Sequence, residues 1–174
     1  MRSIKHIGIL LGVLIWFSGC EDPKPKKPQK YLSKKELIQN NKKSVRVESD
    51  QIDLYIKRRG WNMEKTRSGL HYMVYEEGSG KVHPEENDTV FVQYKVSLIN
   101  GKQIYSSSKE EPASFVVGHD DVESGLQEGI RFLTTGDKAM MIIPAHLAHG
   151  YTGDFNKIPR SSTVIFDIEL LDIK

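Results

Sequence analysis

Residues 122–173 read VESGLQEGIRFLTTGDKAMMIIPAHLAHGYTGDFNKIPRSSTVIFDIELLDI. Val122, Leu126, Ile130 and Leu133 recur at intervals of four, four and three, which predicts a short helix over 122–133 with one apolar stripe. Asp120 and Asp121 precede it, where the positive end of the helix dipole favours negative charge. A turn at Gly136 and Asp137 leads into a strand over 139–143 that ends at Pro144. A glycine-spaced loop follows. The closing strand over 164–173 places Val164, Phe166, Ile168 and Leu170 on one face.

Working upstream, the period is also two. Leu70, Tyr72 and Val74 share a strand face, and Gly78 and Gly80 break that strand. Residues 90–98 alternate cleanly, with Val90, Val92, Tyr94, Val96 and Leu98 facing one way. Asn100-Gly101 is a strong hairpin signal, because both central turn positions need positive φ. It predicts a return strand over 102–106, and residues 114–117 read as another short strand. The simplest fold that buries both sets is α+β: a twisted antiparallel β-sheet wrapped around one short helix.

The charge is divided along the chain. Residues 20–59 hold twelve Lys/Arg against six Asp/Glu, whereas residues 60–174 hold eleven against seventeen. A basic neck thus joins an acidic body. No aromatic residues interleave with the lysines, so nucleic acid is excluded as a partner.

Residues 1–19 read as a lipoprotein signal peptide. Arg2 and Lys5 are followed by an apolar core over 7–17 that falls short of the ~20 residues a spanning helix needs. Phe17-Ser18-Gly19-Cys20 resembles a bacterial lipobox, which makes Cys20 the expected lipidation site. Cys20 is the only cysteine, so an intrachain disulfide is impossible. Residues 20–32 read as a tether rich in proline and lysine. Residues 33–66 read as a helical neck of two short helices. Ser33-Lys34-Lys35-Glu36 is a capping-box pattern, and a second run over 49–59 aligns Ile52, Tyr55 and Ile56 before Gly60. The second helix is expected to dock on the body or on a second copy.

The order and spacing of Val92-Gln93-Tyr94, Asn100-Gly101-Lys102, Ser106-Ser107, Val122, Gly125, Glu128-Gly129, Gly136, Gly150, Thr152-Gly153, Ile158-Pro159 and Phe166-Asp167 resemble the FKBP-type peptidyl-prolyl isomerases. The resemblance covers about 70–174, within a domain assigned to 67–174. The lipobox, the basic neck and Leu147-Ala148-His149-Gly150 resemble more particularly the FKBP lipoproteins of Bacteroidetes, including the gliding-motility-associated isomerases. The resemblance implies a catalytic pocket with Tyr94 as its tyrosine, Phe115 and Phe166 as aromatic walls, Val122, and the backbone N–H of Glu123 as donor to the substrate carbonyl. It implies Ile158 as a flap over the pocket.

Several positions depart from the family pattern. Ile104 stands for a pocket phenylalanine, Tyr105 for an aspartate, Leu126 for the tryptophan floor, Glu123 for an isoleucine, His149 for the loop tyrosine and Ala113 for an aromatic. These departures predict reduced isomerase activity and poor binding of macrolide inhibitors. Tyr105 in particular is expected to remove a charge from the pocket wall. No cofactor is implied. His146 and His149, with His119, Asp120 and Asp154, lack a thiolate or a specified third ligand, so no metal site is expected. The expected partners are proline-containing exported polypeptides and, through the lipid, a membrane of the cell envelope. The alternative is a binding module or chaperone of an envelope assembly, with little or no catalysis.

Overall fold

The chain divides into two compact units, Met1–Ser33 and Lys34–Lys174. The structure, a computed structural model, describes residues 32–119 and 121–174. The signal peptide, the lipobox with Cys20, nearly all of the tether, and Asp120 lie outside the described residues.

The neck is one helix, α1 (Lys34–Arg59), rather than two. The two helix signals, over 33–36 and over 49–59, belong to one helix because the sequence between them contains no glycine or proline to break a helix once begun. The helix starts one residue after Ser33 and carries Glu36 in its first turn; Lys57, Arg58 and Arg59 lie in its last, where cations suit the dipole. It ends at Gly60, whose φ of 65° is the left-handed conformation that glycine adopts without penalty. The Gly60 and Trp61 N–H groups donate to the carbonyls of Lys57 and Ile56, closing the last turn.

Seven strands form one sheet: β1 (Glu64–Lys65), β2 (His71–Glu76), β3 (Thr89–Leu98), β4 (Gln103–Ser106), β5 (Ala113–Val116), β6 (Lys138–Ile143) and β7 (Val164–Ile173). Their order is β1-β2-β6-β7-β3-β4, and every pairing is antiparallel. The ten-residue β3 is the hub. One edge pairs with β7 along its full length, and the other is shared by β5 near its start and β4 near its end.

The sheet is buried on both faces. On one, Val90, Val92, Val96, Phe166, Ile168 and Leu170 meet Leu126, Ile130 and Leu133, all at most 4% exposed. On the other, Ile142 and Ile165 meet Ile52 of α1, flanked by Tyr55, Ile56, Trp61 and Met63. The neck therefore docks on the body. Near its middle, the Glu48 carboxylate accepts hydrogen bonds from the Ala145 N–H at 2.8 Å and the Thr163 hydroxyl at 2.7 Å.

The inner helix is shorter than the apolar stripe suggested. It comprises α2 (Ser124–Gly129) and a following 3-10 turn, Ile130–Phe132. Glu123 is extended at its N-cap, and Leu133 is extended at its end, so the stripe continues into non-helical backbone. Close packing explains the glycines. A Cβ on Gly125 would overlap the Ile143 Cγ2, and one on Gly129 would lie 2.5 Å from the Met141 sulfur. These two residues let α2 lie directly on β6.

Candidate active site

A cleft of about 740 Å³ opens where β3, β4, β5 and β7 meet the start of α2 and the loop after β6. Its walls follow from strand alternation. Val92, Tyr94 and Val96 are successive same-face residues of β3, and Phe166 is the register partner of Val96 on the adjacent β7. Tyr94 and Phe166 meet with ring centroids 5.9 Å apart. Phe115 enters from β5, and Leu126 from α2.

Eight of the ten expected pocket residues line this cleft: Tyr94, Phe115, Val122, Glu123, Phe166, Tyr105, Leu126 and His149. Two do not. Ile104 is 7% exposed and Ile158 is 3% exposed, and both belong to the core behind the cleft. Ile104 precedes Tyr105 on a strand, so its side chain points to the opposite face. From the same loop as Ile158, Asp154 and Asn156 line the cleft. A second cleft, of about 690 Å³ between α1 and the segment 145–163, holds none of the expected residues.

The polar groups form two pairs. Glu123 is the N-cap of α2, yet its side chain makes no capping hydrogen bond. Its carboxylate lies 3.0 Å from His149 Nε2, and the side chains are only 14% and 31% exposed. The Tyr105 hydroxyl donates to Asp154 at 2.5 Å. The expectation that Tyr105 strips charge from the wall is therefore corrected, because Asp154 brings a carboxylate to the same place from the loop. Asp154 is also held by the N–H groups of Asn156 and Ile158. Against the desolvation that raises it, these hydrogen bonds and the nearby His149 hold the Asp154 carboxyl down at about 2.

Tyr94 stands apart from these pairs. Its hydroxyl makes no hydrogen bond to another described residue, and burial, with the Glu123 charge as the lesser cause, raises its pKa. It therefore stays protonated through the physiological range. The Glu123 N–H likewise has no backbone partner among the described residues.

The histidines do not converge. His146 Nε2 lies 3.0 Å from the Ser68 carbonyl, whereas His149 turns to Glu123. Among the described residues no group of three or more His, Cys, Asp or Glu has a metal-holding arrangement. Sequence reasoning missed Asp121 and Asn156 on the rim, and Asp154 as the partner of Tyr105. Only the Asp154-Phe155-Asn156 spacing within the loop offered a signal.

A family model described as FKBP-type peptidyl-prolyl cis-trans isomerase matches residues 80–171, which include all of the cleft's strands except the last residues of β7. The chain is 36% identical over 183 aligned residues to an FKBP-type peptidyl-prolyl cis-trans isomerase FkpA of Buchnera aphidicola from Schizaphis graminum, covering 99% of this chain and 71% of that protein. It is 42% identical over 113 residues to FkpA of Escherichia coli strain K12, covering 64% of this chain and 40% of that protein. The crystal structure of FkpA from Escherichia coli superposes with a TM-score of 0.61 at 34% identity, covering 82% of this chain and 74% of that one. The α+β fold, the apolar cleft and these matches agree: the chain belongs to the FKBP-type peptidyl-prolyl cis-trans isomerase family.

Proposed function

We propose that this protein catalyses cis–trans isomerisation of X–Pro bonds in exported polypeptides, with the cleft around Tyr94 and Phe166 as its site. The reaction breaks no covalent bond. Amide resonance holds the ground state planar behind a barrier of ~18–20 kcal/mol. The twisted transition state has lost much of that charge separation, so an apolar, water-poor surface favours it over the planar form. Phe115, Phe166, Val122 and Leu126 supply the surface, and the proline ring packs against them. The Tyr94 hydroxyl and the Glu123 N–H hold the substrate carbonyls.

The observation that carries this reading is the Tyr94 hydroxyl, half-buried in the cleft, protonated at working pH and without a hydrogen bond to another described residue. The polar departures also favour catalysis over a purely binding role, since each has a partner: Tyr105 with Asp154 and Glu123 with His149. Uncatalysed isomerisation takes tens to hundreds of seconds, long enough to limit folding after export. Refolding of a reporter protein limited by one prolyl bond should accelerate in proportion to added protein. Acceleration that survives in Tyr94→Phe at the wild-type rate would argue for a site elsewhere.

The envelope location rests on the lipobox at Cys20. Mass spectrometry of the purified protein should find acyl chains on Cys20, and Cys20→Ala should move the protein to the soluble fraction. The association with gliding motility or secretion rests on the lipobox, the basic neck and the 147–150 loop. A deletion strain defective in either process, and rescued by wild type but not by Tyr94→Phe, would support it.

A further inference from the structure

We infer that Glu123, with Asp121 and Asp154, makes the site selective for prolines next to lysine or arginine. This rests on the isomerase reading of the cleft and adds the class of its substrate.

Three carboxylates, Asp121, Glu123 and Asp154, line the cleft, and no lysine or arginine stands among its described lining residues. Glu123 is the decisive one. It stands at the N-cap of α2 without capping it, and its carboxylate is held beside the cleft by His149 at 3.0 Å. Its position against the apolar floor is also close enough for its charge to raise the Tyr94 phenol, after burial.

The Asp154 end is tempered. Lys157 lies over the Tyr105 ring at 4.8 Å and donates to the Ile104 carbonyl at 3.2 Å. The net rim is still negative, and the floor between its ends is apolar. A proline seated on Phe166 and Phe115 therefore carries its neighbouring side chain past Glu123. A lysine or arginine there packs its stem on apolar surface and places its charge at the rim; a glutamate meets like charge.

The test uses the full-length chain in detergent and peptides differing only in the residue before the proline, as Lys, Leu or Glu. A second set varies the residue after it. Magnetisation-exchange NMR gives kcat/KM, and shift titration gives Kd. At low salt the lysine peptide should exceed the glutamate peptide by roughly tenfold in one of the two sets, as two partly exposed ion pairs allow. The ratio should shrink in ~0.5 M salt, where the Debye length is a few ångströms. It should also fall severalfold in Glu123→Gln. Equal rates and affinities for Lys, Leu and Glu peptides overturn the selectivity and leave the isomerase reading standing. Tighter lysine binding with no isomerisation of any peptide leaves the selectivity standing and overturns the isomerase reading. A ratio unchanged in Glu123→Gln removes the assignment to that residue.

Discussion

Tyr94 and Phe166 show how one residue does two jobs. Phe166 is 2% exposed, so it is core before it is pocket, and Phe166→Ala should destabilise the fold by ~3–5 kcal/mol as well as stop activity. Tyr94→Phe keeps the ring and loses only the donor. It should lower kcat/KM roughly tenfold or more, as loss of one substrate hydrogen bond implies, with little change in thermal stability. Asp154 offers a titration. Its carboxyl is depressed to about 2 from an ordinary 3.8, so its ionised form stabilises the folded loop above that ordinary value. That contribution is lost as the pH falls through about 2. Carbon-detected NMR of the Asp154 carboxyl should follow this, and Tyr105→Phe should move its midpoint upward. An unmoved midpoint would show that the Tyr105 hydrogen bond is not what holds it. At this scale the family spacing made the apolar wall legible, because strand alternation fixes which side chains share a face. The polar pairs were not legible, since Tyr105 and Asp154 are 49 residues apart and meet only through a loop.

The elements show where local periodicity misleads. The stripe is real, with Leu126, Ile130 and Leu133 buried and Val122 partly buried, but it runs past the helix into a 3-10 turn and an extended residue. Burial was readable from the spacing; the backbone carrying it was not. In α1 the reverse occurred. Two separate signals, the capping pattern over 33–36 and the apolar face of Ile52, Tyr55 and Ile56, belong to one continuous helix, because nothing between them disfavours helix strongly enough to stop it. The contact between α2 and β6 is the tightest of these arrangements. Gly129→Ala forces a methyl toward the Met141 sulfur and should cost ~1–3 kcal/mol by urea denaturation. An equal loss of stability without loss of activity would mean that α2 can shift without disturbing Val122 and Glu123.

At the scale of the whole molecule, the neck is part of the isomerase body. Ile52 is 1% exposed against Ile142 and Ile165, and Glu48 ties the helix to both ends of the segment 145–163 that carries His149 and Asp154. Ile52→Ala should therefore cost ~2–5 kcal/mol. A chain beginning at Trp61 should be less stable and expose apolar sheet. Ile142 and Ile165 point away from the inner core and meet the docked neck helix, and the adjacent apolar residues in 140–143 and 164–166 fit a sheet covered on both faces. The central claim is that the Tyr94 cleft itself lowers the prolyl barrier. The most direct measurement is exchange NMR on a Leu-Pro peptide with catalytic amounts of wild type and of Tyr94→Phe, both verified as folded. Exchange accelerated by the wild type and sharply reduced in the variant is the predicted result. A folded wild type that leaves the exchange rate at its uncatalysed value would contradict the account.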